Sequence, residues 1–204
     1  MVTRPKRERA TRTTTSRRQL LPRAKRREQI LIAATRAFAQ AGFTATSLDD
    51  IAAATGVDRV ILYRHFASKA DLYRAVLQRA GERLTAATGA PGFNAGSVAG
   101  LLSAAADDPD GFRLLFHYAA REPEFRQDMD VLRRNMVAVT RRALAGQIPD
   151  PVWARWASHL LPTLAVEAVI AWLDAGQPDR ATAARRIGTA LEGVIEAAQS
   201  RAAG

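Results

Sequence analysis

Ser47-Leu48-Asp49-Asp50-Ile51-Ala52-Ala53-Ala54-Thr55-Gly56-Val57-Asp58-Arg59-Val60-Ile61-Leu62-Tyr63-Arg64-His65-Phe66 is the stretch on which the fold turns. Ser47 and Asp50 have the spacing of a capping box, in which a hydroxyl takes the amide of the third helical residue and the carboxylate reaches back. A short helix therefore starts there, carries Leu48, Ile51, Ala52 and Ala54 as its apolar positions, and stops at Thr55-Gly56, where glycine supplies the left-handed backbone of a tight turn. Val57 packs inward, and Asp58 caps a second short helix from Arg59 to about His65. Two short helices across a glycine turn make a helix-turn-helix, whose second helix fits a major groove about 12 Å wide.

The flanks are helical as well. Upstream, Ile30, Ala33, Ala34, Ala37, Phe38 and Ala41 recur at spacings of three and four, one apolar stripe on a helix that begins near Arg26 and closes at Gly42. Downstream, Ser68-Lys69-Ala70-Asp71 repeats the capping spacing and opens a helix through Leu72, Val76 and Leu77 to about Ala87. Gly89-Ala90-Pro91-Gly92 is a breaker cluster and marks a domain boundary. Five more helices are expected: roughly 94–106, Asp108-Pro109 to about Arg121, Pro123 to near Gly146, Asp150-Pro151 to Ala175, and Asp179 to Gln199. Pro162 inside the fourth of these should kink it or free a carbonyl. No run alternates like a strand, so the fold class is all-α with about nine helices. The expected division is a disordered basic arm (1–25), a helix-turn-helix domain with its linker helix (26–88) and a second helical domain (93–204).

The charge of +10 over 204 residues is confined to one end. Residues 1–27 hold eleven Lys or Arg against Glu8, and the remaining residues balance at 19 basic and 19 acidic. Such an arm cannot bury enough apolar surface to fold alone and suits a polyanion, with salt-sensitive binding indifferent to base sequence. The absence of cysteine excludes disulfides, thiolate chemistry and Cys-based zinc sites. No apolar run approaches the roughly 18 residues of a membrane span and no apolar signal segment opens the chain, so a cytoplasmic protein with no membrane partner is expected.

Ile30-Leu31-x-Ala33-Ala34-x-x-x-Phe38-x-x-x-Gly42, then Thr46-Ser47-Leu48-x-x-Ile51-Ala52, Gly56-Val57 and Leu62-Tyr63-Arg64-His65-Phe66-x-Ser68-Lys69-x-x-Leu72 together resemble the TetR/AcrR repressors over about 50 continuous residues. The resemblance implies a sequence-specific DNA-binding transcriptional regulator: a ligand-responsive repressor that binds a palindromic double-stranded DNA operator as a homodimer. It implies that Thr46 and Ser47 meet phosphate at a helix N-terminus, that Tyr63 and His65 donate to phosphates, and that Lys69 pairs with one. Arg59 would read bases, with Val60 and Ile61 against thymine methyls. The pair before Leu62-Tyr63 departs from the family pattern, where it is more often small or flexible.

Asp110-Gly111-Phe112-Arg113-Leu114-Leu115-Phe116, Arg121-Glu122-Pro123-Glu124-Phe125 and Ala171-Trp172-Leu173-Asp174-Ala175-Gly176 also resemble segments of one TetR branch. That resemblance makes residues 93–204 a ligand-binding and dimerisation domain. Its last two helices would pair with their mates through Leu160, Leu161, Leu164, Ala168, Ala171 and Ala175 and through Ala184, Ile187, Leu191, Val194, Ile195 and Ala198. Phe112, Phe116, His117, Trp153, Trp156, His159 and Trp172, with Tyr118, Met129 and Met136, are the candidate lining of a pocket for an unknown small-molecule effector, or else simply core. Three histidines, no Gly-x-Ser-x-Gly and no glycine-rich phosphate loop leave no catalytic constellation, metal site or cofactor to expect, and Ser158 and His159 point about 100° apart on a helix. The competing reading is a non-specific architectural DNA-binding protein, favoured by the basic arm and weakened by the neutral body and the discrete reading helix.

Overall fold

The computed structural model describes residues 22–89 and 95–200, and every element among them is helical. Residues 1–21 of the expected basic arm lie outside the described residues. The rest of that arm is not arm at all: α1 (Arg23–Ala45) starts three residues earlier than its apolar stripe suggests. Pro22 stands at its N-cap, and Arg, Ala and Lys are good helix formers. Gly42, at φ 79°, breaks the helix where the sequence places its end.

α2 (Leu48–Thr55) carries the complete capping box between Ser47 and Asp50 and ends on Gly56 at φ 62°. α3 (Arg59–His65) is capped by Asp58, whose side chain accepts from the Val60 N–H. α4 (Lys69–Thr88) is capped by Ser68. Ile30, Leu31, Phe38, Ile51, Leu62, Leu72 and Val76 bury almost completely between these four helices. Each such side chain contributes about 1.5–3 kcal/mol.

The first core does not stop at the expected domain boundary, because Leu114, Leu115, Ala119 and Phe125 belong to it. Phe125 stacks 4.4 Å from Tyr73 and meets Phe43 edge-on at 4.9 Å. Between α5 (Ala95–Asp107) and α7 (Arg126–Ala143) the chain departs from one expected helix over 108–121. α6 (Pro109–Arg113) is a short helix capped by Asp108. A π turn then spans Leu114–Tyr118, and two 3-10 turns, Ala119–Arg121 and Pro123–Phe125, complete the link. Leu114 and Leu115 enter the first core, with Phe116 packed against it, and Leu115 and Phe116 both line a cavity.

α8 (Pro151–Asp174) and α9 (Arg180–Gln199) form the second core with α5. Pro162 is buried inside α8 without ending it. By length and composition α8 is apolar enough to cross a bilayer, contrary to the reading that no segment approaches this. Here it is a core helix, with Leu161, Ala165, Val169 and Leu173 turned inward. Leu161, Ile187, Leu191 and Ala198, expected on a dimer face, are buried within the chain. Leu160, Leu164 and Ala168 on α8, and Ala184, Val194 and Ile195 on α9, remain half-exposed. Trp153 and Trp156, 5.6 Å apart and edge-to-face, are exposed at the start of α8.

Candidate nucleic-acid interface

Leu62 fixes the orientation of α3. It is fully buried, so the residues on the other side of this seven-residue helix must face out. Val60 is 60% exposed and Tyr63 44%, Arg59 and Arg64 are exposed, and Ile61 and His65 are half-exposed. Packing therefore does not account for Val60, a large apolar side chain held in solvent at the N-terminal half of the helix.

Arg59 is pre-positioned. Its Nη1 lies 3.0 Å from Asp49 Oδ2 on α2, its Nη2 lies 3.4 Å from the Tyr63 hydroxyl, and its guanidinium sits 5.5 Å from the Tyr63 ring centre. The Tyr63 hydroxyl and the Asp49 carboxylate hold its pKa above the ordinary arginine value. Both partners of the Asp49 pair are more than half exposed, so solvent screens the pair and it exchanges readily for another acceptor. Burial, followed by the charges of Arg23, Arg27 and Arg26, pushes His65 below the usual imidazole pKa. At neutral pH its ring is uncharged, with one N–H to donate.

Two expected phosphate ligands are occupied elsewhere. Thr46 is buried, and its hydroxyl donates to Gly42 O at 2.7 Å, with Ala37 O at 3.2 Å. Lys69 Nζ donates to the carbonyls of Phe43, Thr44 and Thr46 at 2.8, 3.2 and 3.1 Å, and lies 4.5 Å from the Phe43 ring centre. All three ammonium protons are used, so Lys69 is a clamp on the end of α1 rather than a free cation. Ser47 is at the surface, but its N–H and hydroxyl both bond Asp50 Oδ2, at 3.1 and 2.6 Å. Those bonds hold the Asp50 carboxyl below its usual pKa.

Asp49 and Arg64 were missed. Arg64 is legible as an exposed cation on α3. Asp49 is not, because its partner stands ten residues away across the turn.

The expected pocket residues separate into three groups. Phe116 and His159 line a cavity of about 430 Å³ with Met129, Leu132, Arg133, Met136, Pro162 and Glu167. A second cavity of about 370 Å³ shares Leu132, Met136 and Pro162 with it and extends past Leu84, Thr88, Ser97 and Leu101. Phe112 and Trp172 are core instead, the indole N–H of Trp172 donating to Pro178 O at 2.7 Å. Trp153 and Trp156 are on the surface, and His117 stands 4.0 Å from Glu167 without lining either cavity. Spacing alone cannot separate these groups, since helix rotation decides which face each aromatic takes.

Residues 30–76 match the family model of the bacterial regulatory proteins of the tetR family. That match runs from within α1 to within α4 and takes in the whole helix-turn-helix. An HTH-type transcriptional activator, FasR, of Mycolicibacterium smegmatis is 52% identical over 59 residues, which are 29% of this chain and 27% of that protein. An HTH-type transcriptional repressor of Mycobacterium tuberculosis is 48% identical over 56 residues, 28% of this chain and 30% of that protein. The matched segment thus spans less than a third of these curated relatives. Over the whole fold, a TetR-like transcriptional regulator from Rhodococcus sp. RHA1 superposes with a TM-score of 0.74 at 24% identity, covering 86% of this chain and 98% of that one. FadR from Bacillus subtilis, solved in complex with stearoyl-CoA, does so with a TM-score of 0.63 at 19% identity, over 85% and 99%. The sequence likeness to the tetR family is concentrated where α1 to α4 build the helix-turn-helix, and the likeness of the remaining helices is one of fold.

Proposed function

We propose that the protein is a sequence-specific, effector-responsive transcriptional regulator that binds a palindromic operator as a homodimer and represses from it. The observation that carries this is the display of Arg59, Val60 and Tyr63 on the outer face of α3 while Leu62 anchors the helix in the core. A guanidinium at the N-terminal end of a groove-sized helix suits the two acceptors of guanine, and an exposed valine beside it suits a thymine methyl. Ser47, Tyr63 and His65 contact phosphate; Thr46 and Lys69 support them by holding the end of α1. A defined reading face distinguishes this from architectural binding, which needs only charge and shape.

The half-exposed Leu160, Leu164 and Ala168 of α8 and Val194 and Ile195 of α9 serve as the dimer face. Trp153 and Trp156 continue the α8 line at helical spacing and add two aromatic anchors of the kind that dominate interfaces. The two abutting cavities suit an elongated, mostly apolar effector, in keeping with the stearoyl-CoA held by the Bacillus subtilis FadR of the same fold. Leu115 and Phe116 both line the first cavity, and Leu115 also enters the α1–α4 core. A ligand there moves α4 and with it the spacing of the two reading helices.

The test is competition between a duplex selected by the protein and its scrambled counterpart across a salt series. Specific regulators prefer their site by about 10³–10⁷ at physiological salt. A preference below tenfold at every salt concentration would contradict the proposal.

A further inference from the structure

The basic first turns of α1 lie beside the end of α3. Arg27 holds its guanidinium 5.3 Å from the centre of the Phe66 ring, and Phe66 closes α3 with its N–H on Leu62 O at 3.0 Å. Arg23, Arg26 and Arg27 are close enough to act on the imidazole of His65, the last residue of α3. Arg23, Lys25 and Arg27 are exposed, and no ion pair with a carboxylate is formed by any of them among the described residues. The first turn of α1 holds no acidic residue, so these cations sit at the end of a helix dipole that disfavours them. Helix stability does not account for the cluster. The same charge continues in the sequence ahead of Pro22, with seven Lys or Arg between Arg4 and Arg18, whereas the residues after Arg27 are neutral in sum.

We infer that this cationic surface, continuous with the end of α3, is a second DNA-contacting element that grips phosphates of the duplex flanking the bases read by α3. The inference rests on the reading role proposed for α3. Its partner is double-stranded DNA because the patch adjoins His65 and Phe66, where a duplex seated on Arg59 and Val60 continues along its own axis. Phosphate contacts of this kind set orientation and add affinity without choosing bases. They release counterions, so each leaves a mark on the salt dependence.

The test uses the full chain and a duplex that it selects from a random-sequence pool, either trimmed to the selected bases or flanked on each side by one helical turn, about 10 base pairs. Wild type is compared with an R23Q/K25Q double variant, whose altered side chains form no hydrogen bond or ion pair with a carboxylate among the described residues, and with R23Q/K25Q/R27Q. Affinity is followed against salt. Wild type gives a steeper slope of log K against log salt on the flanked duplex than on the trimmed one. Each phosphate contact is worth about 0.9 in that slope, so the double variant lowers it by about 2 on the flanked duplex and leaves the preference for selected over scrambled sequence intact. An unchanged slope on the flanked duplex overturns the inference, as does an equal fall on both duplexes. Failure of the α3 reading looks different: wild type then shows no sequence preference, whatever the slopes do.

Discussion

Arg79 Nη1 lies 2.7 Å from Asp108 Oδ2, in a pair whose side chains are only 11% and 16% exposed. The same guanidinium holds Glu28 on α1, with Nε 2.8 Å from Oε1. Asp108 in turn caps α6, its Oδ1 accepting from the Gly111 N–H at 3.0 Å. One side chain on α4 thereby ties the helix that supports the reading unit to the helix that opens the cavity-lining segment.

Arg79→Leu leaves the sheltered Asp108 carboxylate without its main partner. Loss of a hydrogen bond to a charged group costs about 1.5–3 kcal/mol, measured as the fall in unfolding free energy in urea. The variant also shows a smaller effector-induced change in DNA affinity, while effector affinity for the free protein changes less. Arg79→Lys keeps one charged contact and shows an intermediate effect on both. Full coupling in Arg79→Leu would remove this residue from the relay.

Arg59→Ala relaxes selection at one or two base positions of each half-site, with about 1–3 kcal/mol of discrimination lost there. Asp49→Asn acts in the opposite sense on affinity, because it removes the carboxylate that competes with DNA for the guanidinium. Binding to selected and scrambled duplexes is compared by titration. Uniform weakening by Arg59→Ala on both duplexes would make Arg59 a phosphate contact instead.

Lys69→Met separates a clamp from a phosphate ligand. Three backbone carbonyls lose their donor, and stability falls by about 1–3 kcal/mol. DNA affinity falls with the positioning of Ser47, but the salt slope is unchanged. A direct phosphate contact would instead lower that slope by about 0.9 at little cost in thermal stability.

Met136 borders both cavities. Met136→Trp fills the space they share and abolishes the effector's influence on DNA binding, and affinity for a selected duplex in the absence of effector is retained. A response of wild-type size in the variant would place the effector elsewhere.

The elements legible in the sequence are those specified by neighbours along the chain. Ser47 with Asp50, Gly56, Asp58 and Ser68 each act over a span of four residues or fewer, and each sits in the structure as its spacing requires. What could not be read depends on residues brought together by folding. Lys69 finds carbonyls 23 to 26 positions away, and Thr46 turns inward to the end of α1. The π turn at Leu114–Tyr118 breaks the 3.6-residue period on which an unbroken helix was expected, and so redistributes Leu115, Phe116 and His117. Trp153, Trp156 and Trp172 share a helix and a residue type, yet two face solvent and one faces Pro178.

Selection of bound duplexes from a random-sequence pool by the full chain tests the central claim most directly. The expected result is an inverted repeat whose half-sites are separated by one helical turn of DNA or a multiple of it, enriched in guanine and thymine where Arg59 and Val60 face the groove. A pool that remains random after repeated rounds, or that enriches a single asymmetric element bound by one protomer, would contradict it.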